Sequence, residues 1–150
     1  MRLVIQRVHN ANVKIEKKIY SEINSGLLVF VGIEEADNAD DIIWLATKLG
    51  GLRLFADSEG KMNLDIKQIN GSILLVSQFT LHASTKKGNR PSFIKAANPQ
   101  KAIQLYNLLI KELEKIMGKP ISTGKFGENM QISLVNDGPV TIIIDSKTRE

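Results

Sequence analysis

Three short runs of almost unbroken apolar residues constrain the fold of this chain more than any other feature. They occupy residues 27–31, 73–76 and 140–144. A run of this kind is typical of a strand that is buried on both faces. None approaches the roughly 20 apolar residues needed to span a bilayer, and residues 1–7 lack the apolar core of a signal peptide. We therefore expect a sheet covered on both sides, in a cytoplasmic protein without a membrane partner.

Other segments have the periodicity of partly exposed elements. Residues 11–16 and 130–134 alternate between apolar and polar side chains, as half-buried strands do. Two further segments carry apolar residues on one face at helical spacing. Asp37 or Asn38 can cap the first of these helices, and Asn98 followed by a proline begins the second. Each amphipathic helix should therefore cover one face of the sheet.

The order of these elements predicts the architecture. Strands come first, followed by a helix, a strand, a long connection with the second helix, and more strands. This is not the regular alternation of a doubly wound parallel fold. We therefore predict a single α+β domain over residues 1–150, with a mainly antiparallel, curved or barrel-like sheet. The long connection covers residues 80–99, with a short helix expected over 93–97.

The scarcity of two residue types excludes several kinds of chemistry. The chain has no cysteine, so it forms no disulfide and offers no thiol nucleophile or thiolate metal ligand. His9 and His82 are the two histidines, and neither has carboxylates at ligand spacing. No phosphate-binding loop or dinucleotide fingerprint occurs. The sequence thus predicts no metal and no cofactor, and it favours a structural or solvated His82 over a general base.

The positive charges are unevenly distributed, although the net charge of +4 is modest. Residues 66–111 contain no acidic side chain, whereas Lys86, Lys87 and Arg90 lie close together within that segment. A basic segment attracts anions, and phosphate-rich ligands are the obvious candidates. Binding of nucleic acid or a nucleotide therefore stays open beside the simpler interpretation that the lysines solvate the surface.

Two segments are hard to explain by packing alone. Residues 77–81, Ser-Gln-Phe-Thr-Leu, follow a buried strand and place three hydrogen-bonding side chains around one aromatic. Polar groups at a strand end that faces a cleft are a common geometry for a site, and an ordinary strand end is the alternative. Residues 136–141, Asn-Asp-Gly-Pro-Val-Thr, have the composition of a plain turn leading into a strand.

Together, residues 77–81 and 136–141 resemble the paired signature of the D-aminoacyl-tRNA deacylases. The similarity extends to Gln-Arg-Val at 6–8, Lys-Gly-Asn-Arg-Pro-Ser-Phe at 87–93 and Thr-Gly-Lys-Phe-Gly at 123–127. The resemblance implies a cytoplasmic homodimer with active sites at the subunit interface and no cofactor. Its members hydrolyse the ester that joins a D-amino acid, or glycine, to the terminal ribose of tRNA. The partner would be the acceptor end of aminoacyl-tRNA.

The resemblance also implies roles for individual residues. Gly138-Pro139 would be the family's Gly-cis-Pro motif, which one subunit inserts into the active site of the other to reject L-aminoacyl groups. Arg7 would steady this motif, and Met130 would line the pocket near it. Two further groups follow: a catalytic segment of Ser77, Gln78, Phe79 and Thr80, and the phosphate-binding residues Lys86, Lys87 and Arg90.

The chemistry of the catalytic segment has two interpretations. The hydroxyl of Ser77 or Thr80 could attack the ester, but either would need an activating base. Alternatively, a free ribose hydroxyl of the tRNA assists an attacking water, while Gln78, Phe79 and backbone N–H groups position the ester and stabilise the oxyanion. We favour the second interpretation. A non-catalytic RNA- or nucleotide-binding module is the alternative function, and a structural dimerisation domain is a third.

Overall fold

The computed structural model describes residues 1–149 of the chain. Within them, two α-helices cover a sheet of six strands, and two short strands form a separate small sheet. The elements, in chain order, are β1 (Arg2–Ile15), β2 (Lys18–Ile23), β3 (Gly26–Gly32), α1 (Ala39–Gly51), β4 (Phe55–Ala56), β5 (Met62–Leu64), β6 (Ser72–Ser77), a 3₁₀ turn (Phe79–His82), α2 (Pro99–Met117), β7 (Ser122–Thr123) and β8 (Gln131–Asp145).

Strand β1 is central to the large sheet and pairs along both of its edges. On one edge it is antiparallel to β8, and on the other it is antiparallel to β3 and then to β2. The sheet continues through parallel pairing of β3 with β6 and of β6 with β7. The pairing is thus mainly antiparallel, and the predicted α+β fold with a curved sheet is confirmed.

The middle strands are buried on both faces. On one face, Leu27 and Leu75 belong to a core that includes the buried sides of α1 and α2. On the other face, Leu28 and Leu74 pack in a second core, which the far halves of β1 and β8 cover. The sheet therefore curls over itself. The apolar runs at residues 27–31 and 73–76 form strands buried on both faces, as predicted. Full burial of each such side chain contributes about 1.5–3 kcal/mol to stability.

Both predicted helices are confirmed, and their first residues explain where they begin. Asn38 caps α1 and forms a reciprocal capping box with Asp41. Asn98 caps α2 by accepting a hydrogen bond from the backbone N–H of Lys101 at 3.0 Å. Gly118 ends α2 in the left-handed conformation, with φ at +65°.

Two expectations for the last strand are wrong. Residues 136–141 do not form a turn, because they lie inside β8, where the pairing with β1 shifts and then resumes. A bulge is where a strand tolerates a proline, which has no N–H to donate. The run 140–144 is not buried on both faces, because β8 lies at the edge of the described sheet and alternate side chains face outward.

The long connection before α2 also differs from the expectation. Residues 93–97 form a turn instead of a helix, and Ala96 pairs with Glu34 through a single β-bridge. Among residues 1–149, no helix is both long and apolar enough to cross a membrane. The same residues contain no group of three or more His, Asp or Glu side chains that could hold a metal ion.

Candidate active site

A cavity of about 650 Å³ opens where β3 and β6 end. Three parts of the chain enclose it: the two strand ends, residues 93–102 leading into α2, and residues 126–132 leading into β8. Most of the lining is apolar, with polar or charged groups at Ser77, Gln78, Glu128 and Asn129, and the Glu128 carboxylate is paired with Lys125 at 3.2 Å. A mostly apolar cavity of this size with a few polar groups is typical of a small-molecule or cofactor site.

The predicted catalytic segment forms one wall of this cavity. Ser77 is the last residue of β6, and the backbone N–H of Gln78 still donates to the Val31 carbonyl at 2.7 Å. The chain then enters the 3₁₀ turn and leaves Phe79 58% exposed. The side-chain Nε2 of Gln78 donates to Thr80 Oγ1. The structure therefore brings the first three residues of the segment to the cavity and ties the fourth to Gln78.

Within residues 1–149, no His, Asp or Glu side chain is hydrogen-bonded to either hydroxyl of this segment. His82 is buried, and its Nε2 has no hydrogen-bond partner within residues 1–149. The Thr80 oxygen already accepts a hydrogen bond from Gln78. A hydroxyl without an adjacent base is a weak nucleophile. The geometry therefore favours positioning over covalent catalysis.

Two aromatic side chains to which sequence reasoning assigned no role, Phe93 and Phe126, also line the cavity. Phe93 packs edge-to-face on Phe79, with the ring centroids 5.1 Å apart. Phe126 also lines the cavity, and its ring centroid lies 5.9 Å from that of Tyr106. Met130 lines the cavity beside Gly124, where a Cβ would lie 2.6 Å from the Met130 sulfur. Only folding brings these aromatics together, because they are isolated residues in loops of the sequence.

A buried tyrosine on α2 is hydrogen-bonded to β6, the strand that leads into the catalytic segment. The Tyr106 hydroxyl donates to the Leu75 carbonyl at 2.8 Å, two residues before the catalytic segment. The backbone N–H of Gly124 donates to the same carbonyl at 2.9 Å. Burial, with a smaller effect from Tyr20, raises the pKa of Tyr106, so its hydroxyl stays protonated and donates. One carbonyl thus joins α2, β6 and the chain after β7.

The predicted phosphate-binding residues lie on a loop next to the cavity, and backbone hydrogen bonds hold the two ends of this loop together. Ser84 and Ser92 exchange two backbone hydrogen bonds, of 2.8 and 2.9 Å, which close residues 85–91 into a hairpin-like loop. Its tip carries Lys86, Lys87 and Arg90, all exposed. None of the three forms an ion pair within residues 1–149. Their charges are therefore available to an anionic ligand.

The second motif lies on β8 and is braced by Arg7. The Gly138-Pro139 peptide bond is cis, and φ of Gly138 is +126°. Arg7 Nε donates to the Asp137 carbonyl at 3.1 Å and lies 3.1 Å from the Asp137 carboxylate, while its Nη1 donates to the Leu54 carbonyl. L side chains rarely adopt this φ, and a Cβ at Gly138 would also lie 2.9 Å from Val140 Cγ2 and from Arg7 Nη2, so the position requires glycine.

Asn136 closes the bulge that presents this motif. Its Oδ1 accepts from the Val140 backbone N–H at 2.9 Å, and its Nδ2 donates to Thr141 Oγ1 at 3.1 Å. The side chain therefore spans the base of the bulge, with Gly138 and Pro139 exposed at its tip. This accounts for the polar residues on both sides of the glycine and proline.

Strand register separates the two motifs within one chain. Ser77 pairs with Val31, Val31 with Leu3, and Leu3 with Ile144. Gly138 lies in the bulge opposite Arg7, which is four residues along β1 from that row, or about 13 Å at the usual rise, and β8 is three strands away from β6. Of the residues assigned by resemblance, Met130 lines the cavity and Arg7 contacts the segment of Gly138 in the same chain. The closeness of Met130 to a Gly138-Pro139 segment from a second subunit stays a prediction.

Comparisons with known proteins place the chain in a family. Residues 4–145 match the family model described as D-Tyr-tRNA(Tyr) deacylase. Proteins named D-aminoacyl-tRNA deacylase from Flavobacterium psychrophilum and Akkermansia muciniphila are 57% and 55% identical over 150 residues, which cover 100% of both chains in each case.

Two solved structures have the same fold. The c-Myc DNA Unwinding Element Binding Protein superposes with a TM-score of 0.91 at 36% identity, over 97% of this chain and 98% of that one. A probable eukaryotic D-amino acid tRNA deacylase superposes with a TM-score of 0.80 at 16% identity, over 95% and 97%. The second comparison concerns the fold alone.

The fold, the cavity and these relatives together define an enzyme of the aminoacyl-tRNA deacylase class, a kind of hydrolase. Within that class, the chain belongs to the D-Tyr-tRNA(Tyr) deacylase family. The resemblance inferred from residues 77–81 and 136–141 is thereby confirmed.

Proposed function

We propose that this chain hydrolyses the ester of D-aminoacyl-tRNA in the cytoplasm and releases the D-amino acid and free tRNA, as a proofreading step of translation. Residues 1–150 act as one deacylase domain, and glycyl-tRNA mischarged on tRNA-Ala is a second substrate. The observation that carries the proposal is the apolar cavity with Gln78 and Phe79 on its rim, beside an unpaired basic loop. Such a site can hold one end of a polyanion while leaving most of it in solvent.

The cavity suits the terminal nucleoside of tRNA. A nucleobase is a flat ring that stacks on aromatic side chains, and Phe79, Phe93 and Phe126 all face the cavity. The loop residues Lys86, Lys87 and Arg90 hold phosphates of the acceptor end. Contacts to phosphate orient the RNA without reading its sequence, as expected for an enzyme that accepts many tRNAs.

Hydrolysis proceeds by direct attack of water on the ester carbonyl. The neighbouring ribose hydroxyl assists the water, whose oxygen bonds to the carbonyl carbon while the ester bond to ribose breaks and the ribose oxygen takes up a proton. Gln78, Phe79 and backbone N–H groups hold the carbonyl and its developing negative charge. The absence of a base beside Ser77 or Thr80 in residues 1–149 supports this route over a covalent intermediate.

Chirality is enforced by Gly138-Pro139 of a second copy of this chain. The support is that the motif is exposed, hydrogen-bonded by Arg7, and not part of the cavity lining of its own chain. Seated against the cavity of the partner, its backbone blocks one side of the substrate α-carbon. An L side chain collides with it, whereas a D side chain points to open space and glycine passes.

The proposal is tested by following ester loss from D-tyrosyl-tRNA, L-tyrosyl-tRNA and glycyl-tRNA. We expect rapid loss of the D-tyrosyl and glycyl esters and protection of the L-tyrosyl ester. Phe79→Ala should lower kcat/KM by about 10-fold or more, whereas Tyr20→Ala, a similarly exposed aromatic on β2, should match the unaltered protein. If tRNA binds but no ester is lost, the chain is a non-catalytic RNA-binding module. Equal loss of the D and L forms would contradict chiral selection.

A further inference from the structure

The turn after β3 holds one wall of the cavity in place. That wall consists of residues 93–102, and its backbone bonds to the end of β3. The Ala97 N–H donates to the Ile33 carbonyl at 2.9 Å, and the Glu35 N–H donates to the Lys95 carbonyl at 3.2 Å. Because Ile33 and Ala97 both line the cavity, these bonds set the spacing between two of its sides.

The side chain of Glu35 adds a second set of contacts at the start of α2. Its carboxylate accepts from the Asn98 backbone N–H at 3.2 Å and from Asn98 Nδ2 at 3.4 Å. The Lys101 ammonium bonds to the Glu35 carbonyl and lies 3.7 Å from its carboxylate. Asn98 meanwhile caps α2, so Glu35 holds the first turn of the helix, where Pro99 and Ala102 line the cavity.

The turn that presents Glu35 is itself fixed. Asp37 is 2% exposed, and its carboxylate accepts from the Glu34 backbone N–H at 2.8 Å. The Asp37 N–H in turn donates to the Glu34 carbonyl at 3.1 Å. Glu35, in contrast, has a side chain that is 60% exposed, so its ion pair with Lys101 contributes little to global stability. The backbone of Glu35 is thus held in place by the turn, while its side chain is exposed. Such a residue can position residues 93–102 without contributing much to the stability of the fold.

We propose that Glu35 is a positioning residue for substrate binding. Through Asn98 and Lys101, it holds residues 93–102 so that Phe93 stays packed on Phe79 at the mouth of the cavity. The inference rests on the proposed function and extends it, because it assigns affinity for the tRNA end to a residue outside the catalytic segment. It also gives Lys101 a role different from that of the basic loop. The Lys101 ammonium contacts Glu35, whereas the loop cations form no ion pair within residues 1–149.

Glu35→Ala should raise KM for D-tyrosyl-tRNA about 3- to 10-fold and leave kcat within about twofold. Glu35→Gln keeps an acceptor for the Asn98 amides, so it should restore most of the affinity. Glu59→Ala is the matched control, because Glu59 is a similarly exposed glutamate paired with Lys61 away from the cavity. A fall in kcat at constant KM, or a KM equal to that of Glu59→Ala, would overturn the inference.

Amide hydrogen exchange gives a readout that does not depend on activity. In Glu35→Ala, the amides of Ala97 and Lys101 should exchange several-fold faster, while that of Leu75 in β6 stays unchanged. Faster exchange at all three sites would indicate a merely structural role, and no change at any of them would also refute the proposal. If the unaltered protein cleaves no aminoacyl-tRNA, the proposed function fails, and the exchange pattern alone then decides for or against the role of Glu35.

Discussion

Thr80 has the hydroxyl that most invites a nucleophilic interpretation, and its surroundings argue against one. Its oxygen accepts a hydrogen bond from Gln78, and the nearby His82 is buried and forms no hydrogen bond with it. An unactivated hydroxyl attacks an ester slowly. The side chain instead fixes the rotamer of Gln78 at the rim of the cavity. Its contribution should therefore be to orientation.

Thr80→Ala should keep kcat within about 10-fold of the unaltered protein, because only the orientation of Gln78 is loosened. Loss of a true nucleophile lowers kcat by about 10⁴-fold or more. Single-turnover ester hydrolysis measures the difference. Ser77→Ala is the matched control, since it removes the other hydroxyl of the segment. Near-complete inactivity of correctly folded Thr80→Ala would establish the covalent route instead.

At the level of elements, Tyr106 connects α2 to the strand that ends in the catalytic segment. The phenol donates to a carbonyl of β6 that also accepts from Gly124. Helix periodicity predicted that Tyr106 faces the core, because it shares a face with Leu109 and Leu113. Its hydrogen bond could not be predicted, since the carbonyl it reaches is distant in the sequence.

Tyr106→Phe should lower the free energy of unfolding by about 0.5–1.5 kcal/mol, the usual net value of one hydrogen bond. The Leu75 carbonyl keeps its bond from Gly124, so no buried acceptor is left without a partner. Denaturant unfolding measures the change. Tyr20→Phe, at a half-exposed tyrosine on β2, should stay within about 0.5 kcal/mol of the unaltered protein. Equal stability of the two variants would show that the brace contributes nothing.

At the level of the whole molecule, β8 leaves an apolar surface at the edge of the sheet. Ile143 is 67% exposed and pairs with Val4, which pairs with Phe30 on the neighbouring strand. These side chains share one face, and all three are at least partly exposed. Exposed apolar side chains beside an unpaired strand edge suit burial against another chain. A second copy seated there would also explain why Gly138 lies so far from the cavity of its own chain.

In the proposed dimer, Ile143→Asp would bury a charge in the interface, so this variant should be a monomer and should lose deacylation. Light scattering would then give the mass of one 16.6 kDa chain. Ile19→Asp, at an isoleucine 56% exposed on β2, should stay dimeric and active. A monomeric Ile143→Asp with full activity and chirality would refute a site shared between subunits.

The sequence by itself determined the local structure and the family of this protein. Capping residues and periodicity placed both helices, and the apolar runs in β3 and β6 predicted strands buried on both faces, because these properties depend on neighbours along the chain. The tertiary structure decided the rest. The turn composition of residues 136–141 became a bulge because β1 offers pairing on both sides of it. The cavity is lined by segments that are far apart in the sequence. Their contacts depend on how the sheet curls, which local sequence patterns do not specify.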